Sequence, residues 1–196
     1  LNVNLANALG SGGDADGDRY HSIETVSTGS GADTLVGNSA DNTLHANAGN
    51  DWMHGHTGDD TLYGGAGADW LYGGTGADTL YGGAGNDVFV SGAGSDALSG
   101  GDGTDHANYS SEISAISVNI TSGGVGGGAN GDTYSSIETV SSGSGNDYLV
   151  GDSVANTFHA NAGNDTVYGQ AGDDTLYGGA GADWLYGGTG ADTLYG

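Results

Sequence analysis

A nine-residue pattern recurs along this chain with so little interruption that few folds remain open to it. From Gly55 the sequence reads GHTGDDTLY, GGAGADWLY, GGTGADTLY, GGAGNDVFV, SGAGSDALS and GGDGTDHAN, ending at Asn108. Upstream lie ANAGNDWMH, ending at His54, the weaker GNSADNTLH, and a further copy around Asp33. Gly holds the fourth place, Asp the sixth and an apolar residue the eighth. The sixth places are Asp33, Asn42, Asp51, Asp60, Asp69, Asp78, Asp87, Asp96 and Asp105; the eighth are Leu35, Leu44, Met53, Leu62, Leu71, Leu80, Phe89, Leu98 and Ala107. A short fixed period marks a stacked-repeat architecture. No apolar stripe of helical spacing persists beyond two turns, and so much glycine opposes helix, so the expectation is all-β.

A second period of 114 residues is superposed on the first. Ser22–Ser27 (SIETVS) recurs as Ser136–Ser141, and Ala66–Gly82 recurs unchanged as Ala180–Gly196. The sixth places of the second array are Asp147, Asn156, Asp165, Asp174, Asp183 and Asp192. The division expected is a partial inter-array segment at 1–28, a first array at 29–108, a strand and Gly-rich segment at 109–142, and a second array at 143–196. Between the arrays Ile116–Ile120 alternates as a short strand, and Gly123–Gly131 reads as a loop. The sequence looks like an excerpt of a longer repetitive protein.

The nonapeptide has a physical reading. Gly at the first, second and fourth places permits a tight six-residue turn with inward carbonyls. The last three residues form a minimal strand with the eighth place inward and its neighbours outward. Two nonapeptides make one turn of a flattened coil, turns stack about 4.8 Å apart, and the Asp residues form a column on each edge. Those columns carry most of a formal charge of −24: 25 Asp and Glu face one Arg (Arg19) and no Lys. Stacked carboxylates need a cation between them, and it must come from solvent. Hard oxygen donors in irregular loops select Ca²⁺. The same charge excludes nucleic acid as a partner and attraction to anionic membranes, and no apolar run is long enough to span a bilayer.

These repeats resemble the calcium-binding nonapeptide of the RTX (repeats-in-toxin, haemolysin-type) family. The resemblance implies a right-handed parallel β-roll with two nonapeptide arrays joined by a β and Gly-rich segment. Each Ca²⁺ would sit between loops two repeats apart, held by the Asp residues of the sixth place and by loop carbonyls, with Asn42 and Asn156 as weaker candidates. Pairing loops 18 residues apart yields about nine to eleven ions. The resemblance also implies export by type I secretion from a Gram-negative bacterium, with folding outside the cell, and an array that closes near Gly100–Ser110.

Other residues have plainer readings. Tyr63, Tyr72, Tyr81, Tyr168, Tyr177, Tyr186 and Tyr195 take the ninth place, and Trp52, Trp70 and Trp184 the seventh. They either shield a thin sheet or offer a contact surface for glycans, surface proteins or other copies of the chain. The histidines lack metal-ligand spacing and read as solvated. The DADGD at Asp14–Asp18, matched in the second copy only by Asp132, reads as a solvated loop. Glu24 and Glu138 read as structural hydrogen-bonding groups. There is no nucleophile elbow and, without Lys, no P-loop, so no enzyme is expected. The leading function is a secreted or cell-surface structural or adhesive element. The alternative is a calcium-dependent folding and polysaccharide-binding appendage of a secreted enzyme.

Overall fold

The computed structural model describes residues 1–196 and is built of short β-strands with two three-residue 3₁₀ turns, Gly13–Ala15 and Gly127–Ala129. The chain winds into a parallel β-solenoid. Successive nonapeptides place their strands alternately on two faces, so each strand pairs with the one two repeats away. Met53 lies beside Leu71 on one face and Leu62 beside Leu80 on the other.

One face is a single 11-stranded sheet that runs through both arrays. It passes from Thr34–Val36 through Trp52–Thr57, Trp70–Thr75 and Val88–Ala93 to His106–Asn108. It then continues without a break through Thr139–Ser141 and Thr157–His159 to Thr193–Tyr195. The opposite face is divided. A six-stranded sheet backs the first array and ends at Thr133–Ser135; a five-stranded sheet backs the second and begins with the antiparallel pair Gly123–Val125 and Ser117–Asn119. The inter-array segment therefore continues the coil on one face and hands over on the other.

The eighth-place residues fill the interior. From Leu35 to Ala107, and again from Leu149 to Leu176, they are at most 2% exposed. The segment between the arrays supplies stand-ins: Tyr134 pairs in register with Leu98, Val140 with Ala107, and Val118 with Leu149. One continuous apolar cluster therefore reaches from Val3 to Leu176. Each buried Leu or Phe contributes roughly 1.5–3 kcal/mol, and each turn supplies only two, so the core is thin for a chain of this length.

The strands are longer than the three residues expected. In most repeats they run six residues, from the seventh place into the first three of the next nonapeptide, as in Thr61–Ala66. The glycines there pair in register, Gly65 with Gly83, so stacking overrides their weak strand preference. In most repeats the second place has positive φ. Gly65 sits at 110°, and Asn47, His56, Asn161 and Gln170 hold the same conformation with side chains. Gly123–Gly131, expected to be a loop, holds a strand and a 3₁₀ turn instead.

Candidate metal centres along the solenoid edges

Each sixth-place Asp lies just before a strand, where the chain leaves its edge turn. The side chain points along the stack and binds the turn before it. Asp69 Oδ1 accepts the Asp51 N–H at 2.8 Å, Asp87 Oδ1 that of Asp69 at 2.8 Å, and Asp105 Oδ1 that of Asp87 at 2.8 Å. On the other edge Asp60, Asp78 and Asp96 do the same for Asn42, Asp60 and Asp78. The second array repeats the arrangement: Asp165 accepts from Asp147, Asp174 from Asn156, Asp183 from Asp165 and Asp192 from Asp174. Asp147 Oδ1 accepts the Ile116 N–H, and Asp33 Oδ1 takes the amino terminus of Leu1.

The second carboxylate oxygen is left without a partner. Oδ2 of Asp33, Asp51, Asp60, Asp69, Asp78, Asp87, Asp96, Asp105, Asp147, Asp165 and Asp174 is buried and accepts no hydrogen bond. A buried charged oxygen in that state is costly. Moreover, a backbone carbonyl shares its surroundings. A Cβ on Gly55 would strike both Asp60 Oδ2 and the Gly73 carbonyl, and one on Gly73 would strike Asp78 Oδ2 and the Ser91 carbonyl. Gly64, Gly100 and Gly169 repeat this with Asp69 and Gly82, Asp105 and Ser136, and Asp174 and Gly187. First-place glycine thus keeps open a cradle flanked by a carboxylate oxygen and a backbone carbonyl. This donor set fits a hard divalent cation. No group of three or more carboxylate or imidazole side chains converges anywhere, so an ion in these cradles draws on carbonyls as well as carboxylates.

Burial raises the affected carboxyls above their usual range. Asp60, Asp87 and Asp165 are pushed up to about 6 and Asp96 to about 7, by desolvation first and by neighbouring carboxylates second. Asp51, Asp69, Asp78, Asp105 and Asp174 shift in the same direction, again chiefly by desolvation. Burial at these edges therefore disfavours the ionised carboxylate unless a cation or donor partners it.

Asn42 and Asn156 put their side-chain oxygens into equivalent cradles, beside Gly37 and Gly151. Those oxygens are neutral and already accept N–H groups, of Asn38 at 2.7 Å and Asp152 at 3.0 Å, while each Nδ2 is buried without a partner. Asp183 and Asp192 lie in more open turns.

Two ladder carboxylates escaped the nine-residue pattern. Asp132 Oδ1 accepts the Asp96 N–H at 2.9 Å, and Glu138 Oε2 accepts the Asp105 N–H at 2.9 Å. They extend the two columns of the first array into the junction. Glu138 takes the structural hydrogen bond expected of it. Asp132, expected to be solvated, is 0% exposed; Tyr134, two residues on, packs partly buried against the core and draws it inside. Its first-copy counterpart Asp18, with Asp14 and Asp16, is exposed. A further ladder at the fifth place was also missed. Asn50, Asp59 and Asn86 accept the N–H of Ala68, Ala77 and Thr104, each 18 residues on, at 2.8–3.0 Å. Recurrence of Asn and Asp just before the sixth place was the signal for it.

The aromatic residues form ladders outside the sheets. His45, Tyr63 and Tyr81 stack at centroid separations of 4.4 and 4.9 Å, and His159, Tyr177 and Tyr195 at 4.6 and 4.8 Å. Trp52, Trp70 and Tyr72 share the long sheet. His45 and His159 are thus stacked rather than freely solvated. Burial lowers the pKa of His54, His106 and His159.

A parallel solenoid with acidic columns along both edges is the class that this construction defines. The family model of the RTX calcium-binding nonapeptide repeat (four copies) matches in overlapping windows that cover residues 27–107 and 141–196, well over half of the chain. The chain belongs to that family, whose nonapeptides bind Ca²⁺ in a structural β-roll. No curated protein matches the chain.

Proposed function

We propose that this chain is a calcium-loaded structural or adhesive element, working outside a bacterial cell as part of a rod, a filament or a surface layer. The observation that carries this reading is the single 11-stranded sheet and single core running through both arrays. A solenoid that continues through its own linker behaves as one stiff body, about 50 Å along the stack at strand spacing. In this reading residues 29–108 and 143–196 are the two arrays. Calcium supplies the positive charge that the cradles require. The orphaned oxygens support Asp33, Asp51, Asp60, Asp69, Asp78, Asp87, Asp96, Asp105, Asp147, Asp165 and Asp174 as ligands, with Asp183 and Asp192 completing the second array. Asn42 and Asn156 hold weaker sites, for a total of about nine to eleven ions.

Extracellular calcium sites work at about 10⁻⁴–10⁻³ M, so the chain stays unfolded in cytosol and folds after export. The exposed rings are the surface for contact with glycans or other copies: Trp52, Trp70 and Trp184 are 37%, 44% and 64% exposed, and aromatic patches of this kind commonly mark contact sites. Electron microscopy of the purified chain with and without calcium tests this function. Calcium-dependent rods that associate into filaments or sheets are expected. Particles that stay monomeric in calcium while binding polysaccharide would instead favour the appendage of a secreted enzyme.

A further inference from the structure

Asp132 differs from the other buried carboxylates of the edge columns in one respect: both of its oxygens are satisfied. Oδ1 accepts the Asp96 N–H, as a ladder carboxylate does. Oδ2, the oxygen that the others leave without a partner, accepts the Tyr109 hydroxyl at 2.7 Å and the Ser91 hydroxyl at 2.9 Å. The Tyr109 and Tyr134 hydroxyls are hydrogen-bonded at 2.8 Å, and the Ser91 hydroxyl also reaches the Gly128 carbonyl at 3.4 Å. Ser91 stands at the first place of its nonapeptide, where most repeats have the glycine that keeps the cradle open. Tyr109 is 4% exposed, so water does not substitute for these bonds.

The cluster ties three parts of the chain together. Ser91 lies on Val88–Ala93 of the 11-stranded sheet and Asp96 leads from it into Ala97–Asp102 of the six-stranded sheet, Tyr109 follows the last strand of the first array, and Asp132 and Tyr134 lie on the segment leading into the second. Strand pairing reinforces the link, since Ala97–Ser99 pair with Thr133–Ser135. A charged oxygen in a dry site needs either a cation or donated hydrogen bonds, and here hydroxyls supply the second.

We propose that Asp132, Tyr109, Ser91 and Tyr134 form a metal-free coupling site, which closes the first array without an ion and passes its order to the second. The proposal rests on the reading of the arrays as calcium-folded. It places no ion on Asp132, in contrast to the columns on either side. Coupling between neighbouring units sets how cooperatively a solenoid folds, so loss of the cluster uncouples the arrays instead of removing an ion.

Native mass spectrometry and calcium titration followed by circular dichroism, both on the full chain, test this. Asp132→Asn is expected to keep the parental ion count and to replace one calcium transition with two resolved midpoints. The double variant Ser91→Ala/Tyr109→Phe, which leaves the carboxylate in place, should also split the transition and is decisive if Asp132→Asn does not fold. Asp87→Ala is the comparison for the cradles: it should lose at least one ion and keep a single transition. An ion lost from Asp132→Asn, or a single unchanged transition in the double variant, would overturn the coupling site. An ion count unchanged in Asp87→Ala would instead count against the cradle assignment.

Discussion

In excess EDTA at about pH 7.5 the chain is expected to lose its β-sheet circular dichroism, and to regain it when calcium returns to the millimolar range. The driving term is the set of buried, unpartnered carboxylate oxygens along both edges. Each ionised group in that setting works against folding, and two interior side chains per turn are a small counterweight. Cation binding removes the penalty, so the binding free energy becomes folding free energy. Protons should act as a poor substitute. The carboxyls concerned titrate near 3.8 when unfolded, whereas in the fold Asp60, Asp87 and Asp165 rise to about 6 and Asp96 to about 7. The metal-free fold therefore takes up protons. Its stability is fully available below about 3.8 and is lost as pH rises through 6 to 7. Acidifying the EDTA sample toward about pH 4 should restore part of the sheet signal, while calcium affinity should fall as pH drops through the same window. A sheet signal that persists in EDTA at neutral pH would rule out calcium as the folding trigger.

Gly67→Ala is expected to do severe damage within an array. Gly67 has φ 137°, a region that side chains rarely enter, and a Cβ there would collide with the Gly49 carbonyl in the turn below. Because the obstacle is backbone held in register by Gly49 N–H to Ala66 O at 2.8 Å, relief requires the turns to separate. A cost of more than about 4 kcal/mol is reasonable for strain and overpacking combined, enough to cut the stack at that level. Gly29→Ala is the control, since a Cβ there meets nothing within 4 Å. In saturating calcium, Gly29→Ala should melt like the parent, and Gly67→Ala should lose a large part of its cooperative transition. Equal melting curves would contradict tight turn-on-turn packing.

Much of this architecture could be read from the sequence because the repeat is strict. Once Leu62, Leu71 and Leu80 recur every nine residues, two faces and an 18-residue stacking offset follow, and the positions of Asp60, Asp69 and Asp78 follow with them. The junction obeyed no such rule. Ala97 pairs with Thr133, His106 with Thr139 and Ser117 with Tyr148, offsets that differ from one another and from the array's own. Glu138 therefore occupies a ladder position that counting by nines never reaches, and Asp132, although four nonapeptide lengths beyond Asp96, lies in a segment without the repeat's residues. Their surroundings misled as well: Asn130-Gly131 before Asp132 has the composition of a solvated turn. Glycine misled in the strands, where Gly65 and Gly83 pair despite a loop-like preference. Local composition was a sound guide within the repeats and a poor one where a distant turn supplied the partner.

The alternation of faces also fixes how such a gene can change in length. Neighbouring turns match at 18 residues, as in Asp51 to Asp69 and Asp60 to Asp78. Loss of two consecutive nonapeptides, such as residues 55–72, leaves every remaining strand on its own face with an equivalent neighbour. Loss of one, such as 55–63, moves everything downstream to the opposite face, so the handover at the junction no longer meets the sheet it continues. Comparing the melting of these two deletions would expose the difference, with the shorter deletion the more harmful. Repeat number in this protein can drift in even steps, and odd steps carry a topological penalty.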